Sequence, residues 1–112
     1  MTLRRAGLVA TMTSDTTAGT AGGSGGGPGA IDVYWRPHCG FCSRLLAKLE
    51  DTGLPVVLHD IWQDPDAAAV VRAAANGNET VPTVGLDGEY LVNPSLNAVL
   101  DLVRRRAPAL LD

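Results

Sequence analysis

The sequence predicts an α/β domain whose β-α-β-α-β-β-α elements build a four-stranded mixed sheet with helices on its faces. Three observations predict it. Short β-prone runs alternate with stretches of helical period, the pattern of strands laid down between packed helices. The last two β-prone runs are joined by Asp87-Gly88, a hairpin turn pair that makes them antiparallel neighbours. Both cysteines fall where the first strand hands over to the first helix.

Ile31-Asp32-Val33-Tyr34-Trp35 is the first strand, and Pro37 ends it. From Cys39 the apolar period changes: Phe41, Leu45, Leu46 and Leu49 recur at helical spacing until Gly53 supplies a stop. Pro55 to Ile61 reads as a second strand, apolar enough to be buried on both faces. Asp64-Pro65-Asp66 opens a helix with a capping carboxylate and proline at the first helical position; it runs through Ala67 to Ala75 and stops at Asn76-Gly77. A third strand spans Val81 to Leu86 with Pro82 inside it, and Glu89 to Val92 returns after the turn. Asn93-Pro94 leads into a last helix that buries Leu96, Val99, Leu100 and Val103.

Of the 112 residues, 1–29 are expected to form a disordered Gly/Ser/Thr-rich tail and 30–112 the folded domain. The tract from Thr13 to Ala30 has no apolar periodicity, so it buries too little surface to offset the entropy of ordering it. Arg4 and Arg5 precede a short apolar run that stops at Thr11, short of the ~7–15 residues of a signal-peptide core. No stretch approaches the ~18 apolar residues of a membrane span, so the cytoplasm is the expected location and no membrane partner is expected. Met12, followed by a polar run, offers an alternative start. The net charge is −3, and the basic triplet Arg104-Arg105-Arg106 reads as cations complementing a helix C-terminus rather than as a nucleic-acid footprint. Lys48 is the only lysine against eight arginines, and Ala and Gly abound, a usage associated with GC-rich bacterial genomes such as the actinobacterial ones.

The chemistry is carried by Cys39-Gly40-Phe41-Cys42. At a helix N-terminus, unpaired backbone N–H groups and the helix dipole stabilise a thiolate, the nucleophilic form of cysteine. Cys39 is therefore expected to be the exposed, readily ionised attacker, with Arg36 and protonated His38 adding positive charge beside it. Cys42, one turn further in, is placed to close a disulfide on Cys39, and Phe41 offers an apolar contact to whatever docks. Three other readings weigh less. A zinc site using His38 and His59 lacks the usual paired knuckles. A purely structural staple fits poorly in a cytosolic protein, and a pair of inert buried thiols fits poorly at a β–α junction. Pro82 in Thr80-Val81-Pro82-Thr83 is either an irregular strand start or a cis X–Pro bond that offers the Val81 backbone to an extended thiol ligand. His59 reads as a strand residue, and Trp35 and Trp62 as packing residues.

The run Val33-Tyr34-Trp35, then Cys39-Gly40-Phe41-Cys42, then Thr80-Val81-Pro82-Thr83-Val84 resembles the glutaredoxin branch of the thioredoxin fold over roughly residues 30–106. Within it, Asn76 to Val84, Asp87-Gly88 and Asn93-Pro94-Ser95 resemble the mycoredoxins, glutaredoxin-like proteins that use mycothiol. The resemblance implies a thioredoxin fold, a cis Pro82, Cys39 as nucleophile, Cys42 as second cysteine, and Val81 and Pro82 as thiol-docking backbone. It places Arg36 where glutaredoxins often keep a cation. Glutathione-using members carry a Gly-Gly pair and an acidic residue before the last helix, where this chain has Leu91-Val92-Asn93-Pro94-Ser95. Mycothiol is thus the expected co-substrate in preference to glutathione, with Asn93 and Ser95 either meeting its sugar–inositol or only capping the helix. No bound cofactor or metal is expected; the expected partners are the low-molecular-weight thiol and S-thiolated proteins, and the expected state is a monomer. Two alternatives stand beside this: a dithiol redoxin reduced by thioredoxin reductase, which lacks its W-S-G-F-x-P-like stretch here, and an iron–sulfur carrier, because C-G-F-C resembles the C-G-F-S of cluster-binding glutaredoxins.

Overall fold

The computed structural model describes residues 28–112. The stretch expected as a tail lies outside the described residues except for Pro28 and Gly29. The elements follow in the expected order: β1 (Ile31–Trp35), α1 (Gly40–Thr52), β2 (Val56–Asp60), α2 (Pro65–Ala74), β3 (Thr83–Leu86), β4 (Glu89–Val92) and α3 (Leu96–Arg106). A short 3₁₀ turn over Pro108–Leu111 follows α3. The sheet order is β2-β1-β3-β4, with β1 parallel to β2 and antiparallel to β3, and β3 antiparallel to β4.

Successive side chains of a strand point to opposite faces, and β1 uses both. Ile31 and Val33 join Val84 and Leu86 of β3 against Leu45 and Leu49 of α1 and Val99, Leu102 and Val103 of α3. Tyr34 enters a smaller cluster with Ile61, Val81, both cysteines, and Ala67, Ala68 and Val71 of α2. The cysteines thus stand at the edge of the smaller cluster, at the end of the sheet where β1 gives way to α1. Each helix start is capped by the side chain before it: Cys39 for α1, Asp64 for α2 and Ser95 for α3. Gly53, at φ 75°, closes α1 in the left-handed region that glycine adopts without a Cβ penalty. The Asp87-Gly88 turn has both central residues at positive φ, as a two-residue hairpin requires.

Four expectations need correction. β2 is an edge strand of Val56–Asp60, not a strand buried on both faces, and Val57 and Leu58 are exposed. An apolar run reports that a strand is β-prone but not its place in the sheet, and β1 takes the inner position here. β3 starts at Thr83 rather than Val81, because Pro82 has no N–H to give the ladder. Trp62 is 57% exposed in the turn before α2, whereas Trp35 is half-buried against the smaller cluster. The arginine triplet is bound more specifically than a helix dipole requires: Arg105 pairs with Glu89 and Asp101, and Arg106 with Glu89.

One buried polar pair was not read from the sequence. Asp32 and His59 sit opposite each other's neighbours on β1 and β2, and Asp32 Oδ1 lies 2.9 Å from His59 Nε2. The His59 ring stacks on Tyr34 with centroids 4.7 Å apart. A carboxylate this buried keeps a partner because burying it alone would be costly.

Candidate active site

Cys39 is the N-cap of α1, with extended backbone (φ −112°, ψ 106°), and its Sγ accepts the backbone N–H of Cys42 at 3.2 Å. The Cys39 thiol in turn lies 3.8 Å from the Val81 carbonyl oxygen, to which it donates. The Val81–Pro82 bond is cis. On the far side of Pro82, its carbonyl accepts the Asn93 N–H at 2.7 Å, which ties the loop before α3 to the same segment.

The two thiols differ in setting. Cys39 is 8% exposed and Cys42 1%. Cys39 is therefore the more accessible thiol but not the open one expected: capping α1 turns its sulfur inward toward the Cys42 amide. Burial, and next the adjoining Cys39 sulfur, push the Cys42 thiol up to about 12, while Arg36 pulls the other way. Cys42 remains a protonated thiol at neutral pH.

The Arg36 side chain hydrogen-bonds to backbone carbonyls of the turn. Its Nη1 donates to the carbonyls of Pro37 at 3.0 Å and His38 at 3.4 Å, and its guanidinium lies 5.6 Å from the Trp62 ring centre. It braces the turn between β1 and α1, in which His38 adopts φ 63°. His59, considered as a zinc ligand, is held by Asp32 instead. Among the described residues no three His, Cys, Asp or Glu side chains gather as a metal-holding cluster.

Beside the cysteines is a shallow pocket of about 110 Å³ between α1 and the start of α3. Phe41, Pro82, Asn93 and Ser95 line it, which brings together four of the residues singled out in the sequence. Ser95 Oγ is engaged with the Ala98 N–H at 3.1 Å, so it caps α3 as well as facing the pocket. Arg44 and Lys48 also line it and were missed. Phe41, Arg44, Leu45 and Lys48 are spaced at i, i+3, i+4 and i+7, one helical face. That spacing was available in the sequence, but the apolar members pointed to core and the cations were not read with them.

A family model described as Glutaredoxin matches residues 31–91, more than half of the chain. The chain belongs to the glutaredoxin family. As a glutaredoxin it is a thiol–disulfide oxidoreductase with a nearby cysteine pair, of a family that uses a thiol co-substrate. A putative glutaredoxin of Mycobacterium tuberculosis is 38% identical over 71 residues, 62% of this chain and 84% of that relative. Mycoredoxin 1 of Corynebacterium glutamicum is 35% identical over 65 residues, 57% of this chain and 80% of that relative. Among solved structures, the thioredoxin-like protein BC3987 superposes with a TM-score of 0.59 at 23% identity, covering 66% of this chain and 94% of that one. A buckwheat glutaredoxin–glutathione complex gives 0.50 at 22% identity, over 72% and 74% of the two chains. These structural likenesses establish the thioredoxin-type fold of this glutaredoxin. No helix among its described residues is long and apolar enough to cross a membrane.

Proposed function

We propose that this glutaredoxin reduces mixed disulfides between proteins and mycothiol, acting as a monomer in the cytoplasm with Cys39 as nucleophile. The observation that carries the assignment of Cys39 is its sulfur at the start of α1, accepting the Cys42 N–H at 3.2 Å while Cys42 stays buried and protonated. A thiolate at that place is held by a backbone donor and the positive end of the helix. The Cys39 thiolate attacks the mycothiol sulfur of the mixed disulfide. The S–S bond breaks, the protein leaves as a thiol after taking a proton, and Cys39 carries mycothiol in a new disulfide. A second mycothiol thiolate attacks that disulfide, releasing mycothiol disulfide and restoring the Cys39 thiolate. The net step exchanges one disulfide for another, consuming one mycothiol thiol and releasing one protein thiol, and a flavin-dependent reductase then reduces the mycothiol disulfide with two electrons from NADPH. Val81 lies beside the reacting sulfur with its carbonyl, and we assign it and Pro82 to docking the thiol. Phe41, Asn93 and Ser95 line the pocket into which the rest of the thiol extends, while Arg36 shapes the approach.

The test couples NADPH consumption to a peptide–mycothiol mixed disulfide in two donor systems: mycothiol with its disulfide reductase, and thioredoxin reductase alone. Turnover is expected only with mycothiol. Cys39→Ser is expected to fall to the uncatalysed background, and Cys42→Ser to stay within about tenfold of the parent because only Cys39 forms a covalent intermediate. Loss of activity in both variants, or turnover with thioredoxin reductase alone, would establish a dithiol mechanism instead.

A further inference from the structure

We propose that Arg44 and Lys48 select the co-substrate by hydrogen bonding to the hydroxyl groups of its polyol end, in the pocket between α1 and the start of α3. The inference rests on the reading of Cys39 as the attacking thiol and names the part of the co-substrate that the neighbouring pocket takes.

Three of the seven Arg and Lys side chains in the described residues are paired with carboxylates elsewhere. Arg72 pairs with Glu79, and Arg105 and Arg106 pair with Glu89 and Asp101. Arg44 and Lys48 have no carboxylate partner among the described residues, and both line the pocket. Arg44 is also oriented. Its guanidinium lies 4.8 Å from the Phe41 ring centre, and its Nη1 comes within 3.8 Å of where a Cβ on Gly40 would stand. The side chain therefore folds back along α1 toward the C-x-x-C segment instead of extending into solvent. Guanidinium and ammonium groups donate hydrogen bonds and accept none. With the Asn93 amide, the pocket thus presents a surplus of donors beside the exposed Phe41 ring, and it calls for a ligand rich in acceptor oxygens.

The lining residues also say which such ligand. They are Phe41, Arg44, Leu45, Lys48, Pro82, Asn93, Pro94, Ser95 and Leu96, with no acidic side chain among them. A γ-glutamyl end brings an α-ammonium beside its α-carboxylate, and the pocket lining holds no acidic side chain to receive that ammonium. The sugar–inositol of mycothiol brings neutral hydroxyls, each with acceptor lone pairs for a guanidinium or ammonium N–H, and an apolar ring face suits Phe41.

The experiment measures kcat and KM on mixed disulfides of one neutral cysteine peptide with mycothiol, with glutathione and with mercaptoethanol, the last too short to enter the pocket. The full chain is compared with Arg44→Ala/Lys48→Ala and with Arg44→Lys. In the double variant the ratio of kcat/KM on mycothiol to that on mercaptoethanol is expected to fall about tenfold, the worth of one or two hydrogen bonds. The fall should lie in KM, and Arg44→Lys should recover part of it. An unchanged ratio would overturn the proposal, as would a fall confined to kcat. A parent preference for glutathione that disappears in the double variant would assign the pocket to carboxylates and overturn the polyol reading while leaving the Cys39 chemistry intact. Absence of turnover on all three disulfides would instead remove the underlying reading.

Discussion

Cys39 and Cys42 share a helix turn but meet different surroundings, and the difference is chemical. Both belong to the smaller cluster, but Cys42 is the more deeply buried and is pushed up to about 12, whereas Cys39 caps the start of the helix. Iodoacetamide at pH 8 should therefore give a single adduct on the reduced protein, mapped by mass spectrometry to Cys39; equal labelling of both thiols would contradict the assigned roles. At this scale the sequence was legible wherever the signal was local. C-x-x-C after a strand specifies two thiols at a helix start because the backbone alone puts them there. The Asp32–His59 pair was not legible, since it joins residues 27 apart and depends on the β1–β2 register. The contacts of Arg36 were not legible either, because nothing local says that its guanidinium will turn back to the Pro37 and His38 carbonyls.

Elements were read well where capping residues mark them. Asp64-Pro65 starts α2 as expected, α3 starts two residues later than Asn93-Pro94 with Ser95 as its cap, and the Ser95 contact to the Ala98 N–H gives a clean test. Ser95→Ala should cost about 1 kcal/mol of stability, the usual worth of an N-cap side chain, measured as a lower urea midpoint with an unchanged slope. A change in the slope would mean that the loop before α3 has rearranged, and the pocket with it. The position of β2 could not be read in the same way. Its apolar residues fit an inner strand as well as an edge one, and pairing with β1 on one side only leaves Val57 and Leu58 open. The pocket was half legible: Phe41 was read from the C-x-x-C segment and Asn93 and Ser95 from the resemblance, while Arg44 and Lys48 became visible only once α1 and the start of α3 were side by side.

Across the whole molecule, the charged groups of β4 and α3 tie the outer strand to the helix beneath it. Hydrogen bonds from Arg105, then Arg106, lower the Glu89 carboxyl from its ordinary 4.5 to about 2. The folded chain therefore binds fewer protons than the unfolded one between these values. The stability that Glu89 contributes is complete above about pH 4.5 and is lost as the pH falls toward 2. Thermal midpoints measured from pH 6 down to 2.5 should fall less steeply for Glu89→Gln than for the parent, and added salt should narrow the gap because these groups are partly exposed. Parallel curves for the two proteins would show that the network carries no pH dependence. The four strands and three helices of this domain were legible in order, but this cross-link was not: the arginine triplet suggested a helix end, and only the hairpin brought Glu89 beneath it.

The sulfur of Cys39 serves two masters. In the proposed mechanism it is the reactive atom, and in the structure it is also the acceptor that finishes the first turn of α1. A sulfur tied into a disulfide is a weak acceptor compared with a thiolate. Each cycle of that mechanism thus passes through a state in which the cap of the helix that presents the chemistry is weakened, and release of the bound thiol restores it. Turnover and the integrity of one helix end rise and fall together, so the covalent intermediate carries a built-in incentive to be resolved.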